Sequence, residues 1–282
     1  MINVISFEID NTLVDGLFEL IDSDLFTPTC QHDAESNLCR VEVFYEDLLQ
    51  KNEIRTALAG AAGLIGIEPK FASSQIEECD WAESWKRFFH VEHISEHIVV
   101  CPTWEAYTPE AHEHVIRLDP GMSFGTGKHA TTKGCLVLLD QLAEEGETRD
   151  FMDMGCGSGI LSIGAHMLGF KDVRGFDIDP DCVRISTENA KLNNLDLPFY
   201  LSGLEEPHPQ AAVVTANILA SVLIQFAESI AASVAPGPAS RLVLSGILDQ
   251  QYSGVKASFE KQGFKELSNI LIEEWRSGVF GR

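Results

Sequence analysis

Asp153-Met154-Gly155-Cys156-Gly157-Ser158-Gly159 decides the reading of this 282-residue chain. Residues 150–154 read as a strand and 160–168 as a helix. The glycines therefore turn a strand into a helix N-terminus, whose backbone N–H groups are expected to face an approaching ligand. A dinucleotide-binding turn needs Gly-x-Gly-x-x-Gly, but here the third glycine arrives one position early and Ile160 stands where that pattern needs glycine. The next strand, 172–176, leads to Asp177, 22 residues after Gly155, where a carboxylate accepts hydrogen bonds from both hydroxyls of a ribose. Loop and acid together predict a grip for a nucleoside other than a dinucleotide. Asp153 keeps two readings: it orders the loop or meets a ligand amino group, or it is purely structural.

Working outward, the alternation of helix and strand continues. A helix is expected from Cys135 to Ala143, another after the cap and first-turn proline Asp179-Pro180 as far as about Leu192, and an alanine-rich one over 219–234. Further strands are expected at 97–101, 113–118, 211–215 and 241–245. Such alternation implies a parallel sheet with helices on both faces, occupying 93–282. Asn217 follows the fourth strand of this domain, where it serves either as a helix cap or as an amide that meets a ligand.

Residues 1–78 read as a smaller α+β module. Strands are expected at 4–9, within 24–37, at 38–45 and at 70–76, with helices over 12–21, capped by Asn11, and 48–64. This β-α-β-β-α-β order suits a ferredoxin-like sandwich. Between the two modules, 79–92 places Trp81, Trp85, Phe88 and Phe89 at helical spacing, as a linker helix packed through its aromatic stripe.

Acidic side chains number 43 against 20 basic ones, a formal net charge of −23, which opposes direct contact with nucleic acid and favours a basic protein partner. Residues 1–92 carry 18 acidic and 6 basic side chains, so the acidity is concentrated toward the N-terminus; solubility alone is the competing explanation. No stretch has the length and apolarity of a membrane span, and the N-terminus reads as a strand rather than a signal. Seven cysteines without a Cys-x-x-Cys pair point to a reducing, cytoplasmic setting.

A second dense segment runs from Gly121 through Phe124, Gly125, Thr126, Gly127, Lys128 and His129 to Thr132. Its Gly-Lys pair fails as a P-loop, because five residues separate Gly121 from Gly127 and His129 occupies the Ser/Thr position. His90, His93 and His97 would share one face of a continuous helix, but Ile98-Val99-Val100 reads as strand and no fourth ligand is indicated, so no metal site is expected.

Three blocks together, 118–132, then 153–163 with Asp177-Ile178-Asp179-Pro180, then Ala216-Asn217-Ile218-Leu219 with Leu244-Ser245-Gly246-Ile247-Leu248, carry a resemblance to the ribosomal protein L11 methyltransferase (PrmA) family. The Asp80-Trp81 to Trp85 linker and Cys101-Pro102-Thr103-Trp104 agree with it. The resemblance implies a Rossmann-like methyltransferase domain behind a ferredoxin-like domain that recognises the ribosomal substrate. It further implies S-adenosylmethionine as cofactor, held by positions matching Thr132, Gly155, Gly157, Asp177 and Asn217, with 124–126 closing beside the reactive methyl. Lys128-His129-Ala130 departs from the family's usual Thr-His-Pro. No catalytic residue is assigned. His129 is the titrating candidate nearby, with a structural helix-start role as its alternative.

Methyl transfer to an amine needs the neutral base, yet a free lysine with a pKa of about 10.4 is neutral only about once in several thousand at pH 7. A closing, water-excluding segment is expected to lower that pKa, with proton loss to solvent or a carbonyl. Lysine and N-terminal amino groups of a basic ribosomal protein are the expected acceptors. Another protein's lysine, or a non-catalytic cofactor-binding module, are the alternatives.

Overall fold

The computed structural model describes residues 2–21, 26, 28–32, 37–45, 50–76, 89–119 and 129–282. The chain divides into two compact units, Met1–Phe88 and Phe89–Arg282.

In the first unit the succession is β1 (Ile2–Asp10), α1 (Val14–Glu19), β2 (Thr29–His32), β3 (Leu38–Tyr45), α2 (Gln50–Leu64) and β4 (Ala72–Ile76). The strands pair antiparallel in the order β2-β3-β1-β4, the split β-α-β arrangement. Alternation explains the core: Ile5, Phe7 and Ile9 of β1 and Val41 and Val43 of β3 are buried with Leu17 of α1 and Ile54 and Leu58 of α2. The first helix starts differently from expectation. Asp10, not Asn11, is the cap; its carboxylate accepts from the Thr12 N–H at 2.9 Å, and Asn11–Leu13 forms a 3-10 turn. The linker helix expected over 79–92 lies outside the described residues as far as 88. Beyond them the chain is extended, not helical: the Val91 N–H donates to Glu105, and Glu92 already pairs with Val100 in β5 (Glu92–His93).

The second unit contains a small sheet, β5-β6-β7, with β6 at Ile98–Cys101 and β7 at His114–Arg117, and a seven-stranded sheet of order β10-β9-β8-β11-β12-β14-β13. Five of the seven are parallel: β8 (Asp150–Met154), β9 (Lys171–Asp177), β10 (Phe199–Leu201), β11 (Val213–Asn217) and β12 (Arg241–Leu248). The expected parallel sheet is thus extended by an antiparallel pair, β13 (Lys265–Ile272) and β14 (Trp275–Gly281), which the sequence pattern did not announce.

Side-chain alternation splits the core between the two faces. Phe151, Val213 and Val243 pack with Leu136, Leu139 and Ile163 of α3 (Ala130–Glu144) and α4 (Ile160–Met167). Their neighbours Met152, Val214 and Leu242 pack on the other face, beneath Leu223 of α6 (Ala220–Gln225), Ile230 of α7 (Ala227–Ala232) and Val255 of α8 (Asp249–Glu260). The alanine-rich helix expected over 219–234 is therefore two short helices that meet at Phe226. α5 (Pro180–Leu192) begins as expected, with Asp179 accepting from the Asp181 N–H at 2.8 Å. This arrangement brings the C-terminal ends of β8, β9, β11 and β12 to one edge, where doubly wound sheets place their ligands.

Candidate functional site

A cavity of about 470 Å³ opens at that edge. Gly155, Gly157, Asp177 and Asn217 all line it, as do Phe176, Ile218 and Gly246. Thr132 does not. It is fully buried within α3, and Thr131, one position earlier, takes the place on the lining.

The turn after β8 is set by three glycines in the left-handed region, with φ of 72°, 51° and 78° at Gly155, Gly157 and Gly159. Its amides are not directed at a ligand, as the sequence suggested, but are used within the protein. The N–H groups of Gly155 and Cys156 both donate to the Phe176 carbonyl at 2.9 Å, and that of Gly159 donates to the Cys156 carbonyl at 2.8 Å. The Gly157 N–H donates to Asp177 Oδ2 at 2.9 Å, while Asp177 Oδ1 accepts from the Asp179 N–H at 3.0 Å. Two backbone donors thus fix the Asp177 carboxylate on the rim, with lone pairs left over for a polyol. A turn whose amides are already bonded is a poor cradle for phosphate, and an anion beside Asp177 would be repelled. The chemistry suits a phosphate-free nucleoside.

Asp153 has the structural one of its two readings. It is fully buried, Oδ1 accepts from Thr215 Oγ1 and Oδ2 from Ser162 Oγ, each at 2.9 Å, so it joins β8, β11 and α4 beneath the turn. Burial pushes its pKa up to about 6 against the lowering effect of the two hydroxyls.

Asn217 ends β11. Among the described residues its Oδ1 is buried without a hydrogen-bond partner, as is Thr132 Oγ1. An unsatisfied buried carbonyl costs about 1–3 kcal/mol, so on the wall of a cavity the Asn217 amide is placed for a donor that arrives with the ligand. Close backbone approach holds this segment. A Cβ on Gly246, at φ 79°, would fall on the Ile218 carbonyl, and one on Gly155 would lie 2.7 Å from Ile218 Cγ2.

His129 both lines the cavity and caps α3. Its side chain accepts from the Thr131 N–H, Nδ1 lies 2.8 Å from Thr131 Oγ1, and its ring meets Trp275 edge-on with centroids 5.0 Å apart. Trp275, Leu204 and Cys182 also line the cavity and were missed by sequence reading. Only the weak signal of an isolated tryptophan near the C-terminus pointed to the first. Phe124, Thr126 and Lys128 lie outside the described residues. The three histidines weighed as a metal face take separate carboxylates: His90 with Glu105 at 2.7 Å, His93 with Glu113 at 3.2 Å and His97 with Asp140 at 2.9 Å.

With this geometry in view, comparison with known proteins is specific. Residues 12–282 match the family model described as ribosomal protein L11 methyltransferase (PrmA). A ribosomal protein L11 methyltransferase of Geobacter sulfurreducens is 36% identical over 275 residues, covering 96% of this chain and 86% of its own. One of Streptococcus uberis is 38% identical over 231 residues, covering 81% and 72%. The crystal structure of a ribosomal protein L11 methylase from Lactobacillus delbrueckii subsp. bulgaricus superposes with a TM-score of 0.60 at 29% identity, over 69% of this chain and 98% of that one.

Proposed function

The chain belongs to the ribosomal protein L11 methyltransferase family, and on that premise we propose that it transfers methyl groups from S-adenosylmethionine to amino groups, those of lysine side chains and of the chain N-terminus, on a large-subunit ribosomal protein. The observation that carries the cofactor is the pairing of a self-satisfied glycine turn with an anchored carboxylate. Asp177 would hold the ribose, Gly155 and Gly157 would give the nucleoside close approach, and the orphaned Asn217 Oδ1 would take a donor. Thr132 is not on the cavity lining, but its buried Oγ1, like Asn217 Oδ1, has no hydrogen-bond partner among the described residues and would be free to meet the cofactor.

S-adenosylmethionine, when bound, would supply a sulfonium methyl group to a neutral amine in line, the S–CH3 bond breaking to leave the neutral thioether S-adenosylhomocysteine. The chain's own contribution is environment. Ile218, Val222 and Trp275 give the cavity apolar lining, which would disfavour the charged ammonium, so that an entering amine would lose its proton to solvent or a carbonyl. His129, which lines the cavity, is committed through Nδ1 to capping α3. The ferredoxin-like first unit, where the acidic excess is concentrated, would receive the basic ribosomal substrate in the cytoplasm.

Incubation of the protein with labelled S-adenosylmethionine and purified ribosomal proteins, read by intact mass, tests this. Label is expected on L11 in steps of one methyl group. Label confined to other proteins sinks the acceptor, and absence of any binding by calorimetry sinks the cofactor.

A further inference from the structure

The part of the cavity wall formed by Phe176 has a second layer behind it. The His208 imidazole lies parallel to the Phe176 ring, with centroids 3.9 Å apart and an interplanar angle of 8°. Its Nε2 is 2.9 Å from the Gly203 carbonyl, which can only accept, so the proton is on Nε2. Gly203 precedes Leu204, and Leu204 and Phe176 both line the cavity. One half-buried imidazole therefore touches the ring of one wall residue and the backbone next to the other.

The loop that carries it is tied at several points. The Ser202 N–H donates to the Asp177 carbonyl at 3.0 Å, Ser202 Oγ donates to Glu206 at 2.9 Å, and the Ser229 hydroxyl donates to the Leu204 carbonyl. Tyr200 leans against both rings, with centroids 5.6 Å from Phe176 and 6.3 Å from His208. The imidazole couples the orientation of the Phe176 ring to the position of the Leu204 loop through one stacking contact and one hydrogen bond, with Tyr200 packed beside both rings. Removing it would leave space into which Phe176 can tip, which widens the slot between two apolar surfaces.

We propose that His208 is a positioning residue for cofactor binding: it holds Phe176 and the Leu204 loop at the spacing that accepts the nucleoside of S-adenosylmethionine. This rests on the cofactor reading above. It predicts that His208 acts on binding and not on the transfer step.

The test uses the full-length protein and three substitutions, with thermal unfolding recorded for each. Calorimetry with S-adenosylhomocysteine gives Kd, and steady-state methylation gives KM for S-adenosylmethionine and kcat. His208→Ala is expected to raise Kd and KM roughly ten-fold, with kcat within about two-fold. His208→Phe, which keeps a flat ring on Phe176 but no donor for the Gly203 carbonyl, and His208→Gln, which keeps a donor but no ring, are each expected to fall between wild type and alanine. Wild-type Kd in His208→Ala, with or without a lower Tm, overturns the proposal, as does full rescue by phenylalanine or by glutamine, or a loss in kcat alone. A wild-type protein that binds no S-adenosylhomocysteine overturns the cofactor reading and this inference with it, whereas equal binding by wild type and His208→Ala overturns the inference alone.

Discussion

One part of the cavity lining, from Gly155 to Asp177, is a single β-α-β run fastened by its own backbone. The part made by Asn217 to Leu219, Gly246 and Trp275 is assembled from three separated segments that meet only through strand pairing and close packing. The first holds its shape through short-range hydrogen bonds and left-handed glycines. The second depends on β12, whose pairing with β14 slips register between Leu244 and Ile247, around a glycine that lets the Ile218 peptide sit against it. Local turns tolerate change in remote packing, whereas an assembled wall transmits it.

Four substitutions probe that contrast, starting with the strongest. Gly246→Ala combines a positive φ with a methyl group driven into the Ile218 peptide, and should cost about 3 kcal/mol or more in stability and weaken cofactor binding as Asn217 shifts. Thermal unfolding checks this, and a wild-type Tm would remove the assembled wall from the account. Asp177→Ala strips the fixed acceptor from the other wall and frees the Gly157 and Asp179 N–H groups; Kd for S-adenosylhomocysteine should rise about 100-fold, with a far smaller effect on Tm.

Asp153→Asn tests the floor common to both walls. The folded-state pKa of Asp153, about 6, lies above the ordinary aspartate value of 3.8, so the folded protein holds this proton more tightly than the unfolded chain does. The contribution is therefore present at low pH and lost as pH rises from about 4 through 6. The asparagine variant, whose amide still serves both hydroxyls, should lack this decline and be more stable than wild type by about 2 kcal/mol at pH 8 but not at pH 4, measured by denaturant unfolding. Parallel pH profiles for the two proteins would contradict it. Last, Trp275→Phe keeps an aromatic wall but removes the indole that meets His129; kcat/KM should fall only several-fold, about 1 kcal/mol. A collapse of activity would assign the indole a direct part in the reaction.

The same contrast explains what was legible in the sequence. The turn at Gly155, the acid at Asp177 and the capped start of α5 at Asp179-Pro180 are encoded within a few residues of one another, so spacing alone located them. Little in their pattern marks β13 and β14: the polar and apolar residues of Lys-Glu-Leu-Ser-Asn-Ile-Leu-Ile suit an exposed edge, and the two become part of the sheet because β14 pairs with β12 and β13 pairs with β14. Trp275 was hidden for that reason. The choice between Thr131 and Thr132 was hidden too, because it depends on how α3 is rotated against the sheet, and α3 begins five residues before the apolar periodicity at Cys135 suggested. The N–H groups of the turn pointed to a ligand in the sequence and to Phe176 in the structure, since only the folded chain supplies a carbonyl at that distance.

The twin hydrogen bonds from Gly155 and Cys156 to a single carbonyl have a kinetic meaning. They close the end of β8 onto the end of β9 whether or not a nucleoside is present, so the entropy lost in ordering this turn belongs to folding rather than to binding. Amide hydrogen exchange at Gly155, Cys156 and Gly157 should accordingly be slow in the free protein and change little on saturation. Encounter with the cofactor then meets a preorganised surface, and the differences among relatives that share this turn should appear in how long the nucleoside stays rather than in how fast it arrives.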